Sequence, residues 1–408
     1  MCNKSESRKP RKILQVNKLY YPVIGGIERV VQQIAEGLSE QNEMNVIVCS
    51  NNIHYKSEII SGVHVIRMPK LFQLGSLPIP LGMIWKIRKM SKNMDIIHLH
   101  MPFPFGDLAC LLSGFQGKVV VSWHSDVVRQ KKMMCIYKPL MIQMLKRADV
   151  IVVATQGHIN GSEYLGEFRN KCVVIPYGTE KKVEEVADAY YKNKNQMIKT
   201  KKSPVRFLFV GRLVYYKGCD ILIQAFSKVQ GAELIMVGSG VLRANCEKML
   251  KDYGIEDKVT LCGAIEEEEL YKQFQQCDVF VLPSVVRSEA FGLVQIEAMS
   301  FGKPVINTDL PSGVPYVSLH GKTGLTVPPS DVDALADAMQ WMVDHEEERE
   351  QMGQRARERM KTEFSINKML AQLQKVYETI LNKKSGISAI CNMAPDFRYI
   401  EEMSYENE

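Results

Sequence analysis

Residues Pro283 to Pro304, PSVVRSEAFGLVQIEAMSFGKP, decide how this 408-residue chain is read. They follow an apolar run, Val279-Phe280-Val281-Leu282, short and β-branched enough for a buried strand. Arg287, Ser288 and Glu289 then occupy a loop, and Phe291 to Phe301 has the spacing of a short helix that Gly302 and Pro304 stop. A strand end, an acidic loop and a helix start therefore meet at one point. In an open parallel sheet that is where ligands bind. A helix start also offers free N–H groups and the positive end of a dipole, which suits an anion such as phosphate. Glu297 falls roughly 9 Å past the helix start at 1.5 Å per residue. Two acids so spaced cannot share one atom, but they can hold two ends of an extended ligand.

The length points to two domains rather than one core. With 46% hydrophobic and 24% charged residues, the composition is that of a soluble globular protein. No apolar run approaches the ~20 residues that span a bilayer. The N-terminal MCNKSESRKPRK is basic with no apolar stretch behind it, so it does not read as a signal peptide. The ten Cys are scattered without a C-x-x-C pair and read as reduced, mostly buried thiols of a cytoplasmic protein. Charge is uneven: residues 1–180 carry 23 Lys/Arg against 13 Asp/Glu, net +10, and the remainder 29 against 33, net −4. A basic half invites nucleic acid, a membrane surface or a phosphorylated substrate, although a solvated surface explains the same charge.

In chain order, Ile13–Val16 reads as a strand, followed by a loop ending at Gly25-Gly26 and a helix from about Glu28. Paired glycines before a helix let backbone approach a phosphate. The pattern is not G-x-G-x-x-G and no acid ends a second strand, so the dinucleotide fingerprint fails. Further strands are expected at 45–49, 63–67, 95–100, 118–123, 149–154 and 173–175, with helices between most of them. That alternation predicts a doubly wound parallel sheet. The charged stretch 181–202 reads as a short helix running into a linker. A second series then begins, with strands at 207–210, 233–237, 259–262, 279–282 and 305–308. Its helices are expected at 220–229, 241–253, 267–276 and 291–300, then one long helical region at 332–357 and an amphipathic helix at about 366–381. The fold class is therefore α/β, two Rossmann-like doubly wound parallel-sheet domains facing across a cleft. The expected boundaries are 1–188 and 189–365, with helix 366–381 packing back on the first domain and 383–408 as a tail.

Several motifs of the second series, taken in order, resemble the retaining glycosyltransferases of GT-B fold grouped as family 4. They are Phe209-Val210-Gly211-Arg212-Leu213 with Lys217-Gly218, then Val237-Gly238-Ser239-Gly240, then Glu289-Ala290-Phe291-Gly292 with Glu297. The E-x7-E pair is that group's hallmark. Gly25-Gly26-Ile27-Glu28 and Trp123-His124-Ser125-Asp126 agree with it in the first domain, so the resemblance runs from about residue 12 to about 380. Pro311-Ser312-Gly313-Val314-Pro315 and Gly321-Lys322-Thr323-Gly324-Leu325 look most like bacterial surface-polysaccharide mannosyl- or hexosyltransferases.

The resemblance implies transfer of a hexosyl group, mannose favoured, from a nucleotide-diphosphate sugar such as GDP-mannose to a glycan or lipid-linked acceptor. It places Arg212 and Lys217 at the diphosphate, Glu289 at the sugar hydroxyls and Glu297 at the ribose. Backbone N–H groups of Phe291, Gly292 and Leu293 would take sugar or phosphate oxygens, with Gly25, Gly26 and Gly211 giving close backbone approach. His124 stands near the transferred bond, with Asp126 positioning it or the acceptor. Permanent positive charge on Arg212 and Lys217 suits a departing diphosphate, so no metal or other cofactor is expected. The one Asp-x-Asp triplet, Asp331-Val332-Asp333, reads as a helix cap. His98 and His100 alternate on one strand face without a third ligand and read as structural. Retention is expected by front-side attack, because no carboxylate nucleophile is identified. Basic-apolar stretches at Trp85–Lys92 and Arg129–Arg147 suit a peripheral enzyme at the inner face of an anionic membrane, or the basic outer faces of ordinary helices. Rival readings are a GT-B epimerase or phosphorylase, which would not need the E-x7-E frame, and a dinucleotide-dependent oxidoreductase, which lacks its fingerprint. No nucleic-acid module is visible.

Overall fold

The structure is a computed structural model that describes residues 10–23, 25–50, 53–74, 77–80, 82–127, 131–194 and 204–382. The expected tail 383–408 and the end of the expected linker lie outside the described residues. Contacts divide the chain into two compact units.

The first unit comprises the chain through Ala154, Ser162–Ile175, and the chain from Leu370 on. Its elements are β1 (Arg11–Val16), α1 (Gly26–Gly37), β2 (Asn42–Cys49), β3 (Lys56–Ile60), β4 (Val63–Met68), β5 (Phe72–Leu74), β6 (Leu77–Ile79) and α2 (Gly82–Ser91). They continue with β7 (Ile96–Met101), α3 (Pro104–Leu112), β8 (Lys118–Trp123), α4 (Lys131–Arg147) and β9 (Val150–Val153). After α5 (Gln156–Asn160), which belongs to the other unit, comes β10 (Cys172–Val174). The sheet order is β10-β9-β8-β7-β1-β2-β4-β3. All pairs are parallel except β3 on β4, an antiparallel edge that the polar, alternating KSEII did not announce. Strands β7 and β8 are almost wholly buried, as expected of a parallel sheet covered on both faces. The chain order reverses between β1 and β7, so the crevice of this sheet opens at their C-terminal ends.

The second unit comprises Thr155–Gly161 and Pro176–Met369. It contains α6 (Lys181–Lys194), β11 (Val205–Val210), α7 (Cys219–Phe226), β12 (Ala232–Val237), α8 (Arg243–Tyr253), β13 (Val259–Gly263), α9 (Glu267–Gln276) and β14 (Val279–Leu282). Then follow α10 (Leu293–Ser300), β15 (Val305–Thr308), α11 (Val314–Val317), β16 (Gly324–Val327), α12 (Val332–Asp344), α13 (Glu346–Glu363) and α14 (Ile366–Leu381). The sheet, all parallel, runs β13-β12-β11-β14-β15-β16 and reverses between β11 and β14. Its core is built on Phe207, Phe209, Leu222, Ile223, Phe226 and Met339.

Three expectations are corrected. The division falls at Ile175/Pro176 rather than 188, because α6 packs on α9 and α10. Its Tyr190 hydroxyl donates to Gln275 O (3.1 Å), and Asp188 pairs with Arg357 and Lys361 at 2.5 and 2.9 Å. Segment Thr155–Gly161 also belongs to the second unit, with Gly157 so close to Ser312 that a Cβ would stand 2.5 Å from its carbonyl oxygen. The region 332–357 is two helices, broken where His345 leaves helical geometry (φ −117°, ψ 75°) and stacks on Trp341.

Helix α14 begins in the second unit and from Leu370 belongs to the first. There Gln374 accepts from Asn42 (2.9 Å), Glu378 pairs with Arg11 (3.2 Å), and the Tyr377 hydroxyl meets His98 Nδ1 at 2.6 Å.

Candidate active site

In the second unit, the loops leaving β11 and β14 flank the point where the strand order reverses. Lys217, from the first loop, and Glu289, from the second, join at 2.6 Å with their side chains only 12% and 11% exposed. Ser284 Oγ donates to the same carboxylate oxygen (3.2 Å), and its own carbonyl accepts from Thr308 Oγ1 (2.6 Å). Arg212 is exposed and donates to the Tyr216 hydroxyl (3.1 Å), so the two cations of this loop differ in setting. The Lys217 loop turns at Gly218 (φ 66°), where a Cβ would stand 2.1 Å from Pro283 O. Gly211 lies under the Lys217 stem, 3.4 Å from its Cε to a notional Cβ, and donates its N–H to Val237 O (2.9 Å). Gly238 closes on the same backbone: a Cβ there would overlap Gly211 O at 1.9 Å.

Helix α10 starts at Leu293, two residues later than expected, because Gly292 caps it in the left-handed conformation (φ 71°). The amides ahead of its first turn have no carbonyl four residues back to serve. Phe291 is buried, with its ring edge-on to Tyr177 at 5.0 Å, so only its backbone is available to a ligand. Gln295 anchors the turn through Phe291 O (3.0 Å) and accepts from Asn307 (2.9 Å). Glu297 is 6% exposed, not the solvated helix residue that its position on an eight-residue helix first suggests.

Asp331 accepts from Ala334 N (2.9 Å) and caps α12, while Asp333 pairs with Lys228. Among the described residues no group of three His, Cys, Asp or Glu side chains is arranged to hold a metal.

In the first unit, His124 follows β8 and is buried. Its Nε2 lies 3.0 Å from His100 Nδ1, and His100 Nε2 lies 3.1 Å from Gln15 Oε1. His98 stacks on His100 with centroids 4.5 Å apart and is fixed by Ser122 (2.8 Å) and Tyr377. Burial, then the neighbouring imidazoles, hold the His100 pKa well below the ordinary histidine value and His98 down to about 3. Asp126 receives Trp123 Nε1 (3.2 Å), Ser162 Oγ (2.7 Å) and Glu163 N (3.0 Å). With both oxygens engaged, it anchors this loop. Gly25 precedes α1 in an extended conformation, and Glu28 folds back so closely that a Cβ on Gly25 would meet its Oε2 at 2.2 Å. The group drawn to that helix start is thus a carboxylate of the chain itself.

The expected residues therefore gather in two places. Gly211, Arg212, Lys217, Glu289, Phe291, Gly292, Leu293 and Glu297 share the reversal point of the second sheet, and Gly25, Gly26 and His124 lie at the C-terminal edge of the first. Sequence reasoning missed Ser284, Gln295, Asn307, Gln15 and the link from His100 to His124. The signal for that link was the alternation of polar residues within otherwise apolar strands, as in IIHLHM.

Two family models match the chain: Glycosyltransferase Family 4 over residues 24–181 and Glycosyl transferases group 1 over residues 191–359. The D-rhamnosyltransferase WbpZ of Pseudomonas aeruginosa is 33% identical over 361 residues, 87% of this chain and 92% of that one. The O-antigen chain mannosyltransferase C of Escherichia coli is 31% identical over 379 residues, 92% and 100% of the two chains. Among solved structures, Anabaena Alr3699/HepE in complex with UDP-glucose matches with a TM-score of 0.70 at 17% identity, covering 90% of this chain and 99% of that one.

Proposed function

Because the chain belongs to the GT-B glycosyltransferases of family 4, we propose that it transfers a hexosyl group from a nucleotide-diphosphate sugar to a growing surface glycan. The relative named an O-antigen chain mannosyltransferase favours mannose as the transferred sugar, and GDP-mannose is the first donor to test. The observation that carries this reading is the buried Lys217–Glu289 pair, set at a sheet's reversal point in front of a helix start that also buries Glu297.

Lys217 and Arg212 supply positive charge to the departing diphosphate, where charge develops in the transition state. Glu289 accepts from sugar hydroxyls while it keeps Lys217 oriented, so the sugar and phosphate ends of the donor are held by one pair. Glu297 accepts from the ribose diol, and the amides of Phe291 to Leu293 meet phosphate or sugar oxygens. Transfer proceeds with retention by front-side attack, the departing phosphate taking the acceptor proton, and with no metal in the scheme. In the first unit, His124 and the Gly25-Gly26 turn are assigned to substrate.

The acceptor falls to the first unit. Supporting this is a cavity of about 290 Å³ at the ends of β1 and β2, lined by Tyr20, Ser50, His54, Tyr55, Lys56 and Arg67. No helix among the described residues is long and apolar enough to cross a membrane. Trp85 (75% exposed) and Ile136 (84%) stand out among the basic residues of α2 and α4, which supports a peripheral contact with an anionic bilayer.

The test is a screen of GDP-mannose, UDP-glucose, UDP-galactose and UDP-N-acetylglucosamine for hydrolysis, with GDP, UDP and NAD as thermal-shift ligands. One nucleotide diphosphate should raise the melting temperature and NAD should not. Protection by NAD alone would refute the reading.

A further inference from the structure

Three neighbouring strands of the first sheet carry polar side chains on one face. Register places Gln15 of β1 opposite His98 of β7, and His100 of β7 opposite Ser122 of β8. With side chains alternating along each strand, Gln15, His98, His100, Ser122 and then His124 point to the same side. The result is a continuous buried chain, Gln15–His100–His124, at the C-terminal ends of the strands where this sheet reverses order. Gln15 and His100 are 0% and 2% exposed.

From this geometry we infer that Gln15 and His100 are positioning residues that fix the ring tautomer of His124. The inference rests on the assignment of His124 to the transfer site. Gln15 Oε1 can only accept, so the hydrogen bond to it needs the proton on His100 Nε2. A neutral His100, which its burial enforces, then has a bare Nδ1. That nitrogen accepts, so His124 Nε2 must carry a proton. Any proton that His124 gains or loses therefore sits on Nδ1.

His98 does not join the chain. It stacks on His100 and is held by Ser122 and Tyr377, which keeps the His100 ring in its plane. The direction of the relay comes from the Gln15 amide, whose Nε2 has no partner among the described residues. The opposite orientation would reverse every proton in the chain and leave His124 Nε2 bare.

The experiment is an ¹⁵N–¹H spectrum of the full chain labelled at its histidine ring nitrogens, with turnover measured on whichever nucleotide sugar the screen identifies. In the wild type, His124 Nε2 should carry a non-titrating proton and Nδ1 should respond to pH. His100→Leu should release this bias and lower kcat by about 10- to 100-fold, as loss of an orienting partner does elsewhere. The melting shift given by the free nucleotide should not change. His100→Asn, whose amide oxygen can replace Nδ1 as acceptor, should restore both the spectrum and most of the turnover. If His100→Leu fails to fold, the wild-type spectrum and the Asn variant still decide the matter. A bare His124 Nε2 in the wild type, or full turnover in the Leu variant, overturns the inference. Absence of turnover on every nucleotide sugar would instead overturn the transferase reading, while the spectrum would still report the tautomer.

Discussion

The Lys217–Glu289 pair offers the sharpest quantitative test. Its side chains are 12% and 11% exposed, so solvent screens the pair little, and removing one partner leaves a charge stranded. Such a loss costs about 3–5 kcal/mol. At about 2–4 °C per kcal/mol for a domain of this size, either Lys217→Met or Glu289→Gln should lower the melting temperature of the second unit by about 6–20 °C. The double variant removes both charges and should recover most of that loss, since Ser284 can still donate to the carbonyl oxygen of the introduced amide. Scanning calorimetry on the four proteins gives the cycle. Nucleotide then separates structure from function. At 100 times its dissociation constant it contributes about 2.7 kcal/mol, or about 5–11 °C. Glu289→Gln should keep or enlarge this shift, because Lys217 is left with the diphosphate as its anion, whereas Lys217→Met should lose most of it. Single-variant costs below about 1 kcal/mol would mean a screened surface pair. An undiminished nucleotide shift in Lys217→Met would remove Lys217 from the diphosphate.

Two further outcomes follow from the first unit. Burial pushes the Asp107 carboxyl, bonded to the Tyr137 hydroxyl, from 3.8 up to about 8. The folded state therefore binds more protons than the unfolded chain between those values, and stability should fall as pH rises through that window by up to about 1.4 kcal/mol per unit. Asp107→Asn should flatten that slope in urea melts at pH 5 and 8, and an equally steep slope in the variant would exclude Asp107 as its source. For the bilayer contact, vesicles containing anionic lipid should sediment the protein at low salt, and Trp85→Ser with Ile136→Ser should weaken this. Sedimentation that needs no anionic lipid, or none at all, would count against the electrostatic part or the whole.

The run of elements and the frame of the candidate site were legible in the residues alone. Apolar β-branched runs such as Val279–Leu282 leave a strand little alternative, and Gly292, Gly302 and Pro304 bracket α10 by local backbone preference. The Glu289–Glu297 separation is likewise local, carried along one loop and helix. Segments with weak patterning escaped: the antiparallel β3, the short β5, β6 and β16, and the break at His345 depend on neighbours more than on their own residues. Whatever depends on register and packing between distant strands emerged only in three dimensions. Folding joined Lys217 to Glu289, gave Thr155–Gly161 and α6 to the second unit, and set Tyr377 of the last helix on His98. It also turned His100 from a buried strand residue into the partner of His124. Those contacts arise because parallel strands, far apart in sequence, bring their C-terminal ends to one edge, and no local pattern of residues encodes which ends will meet.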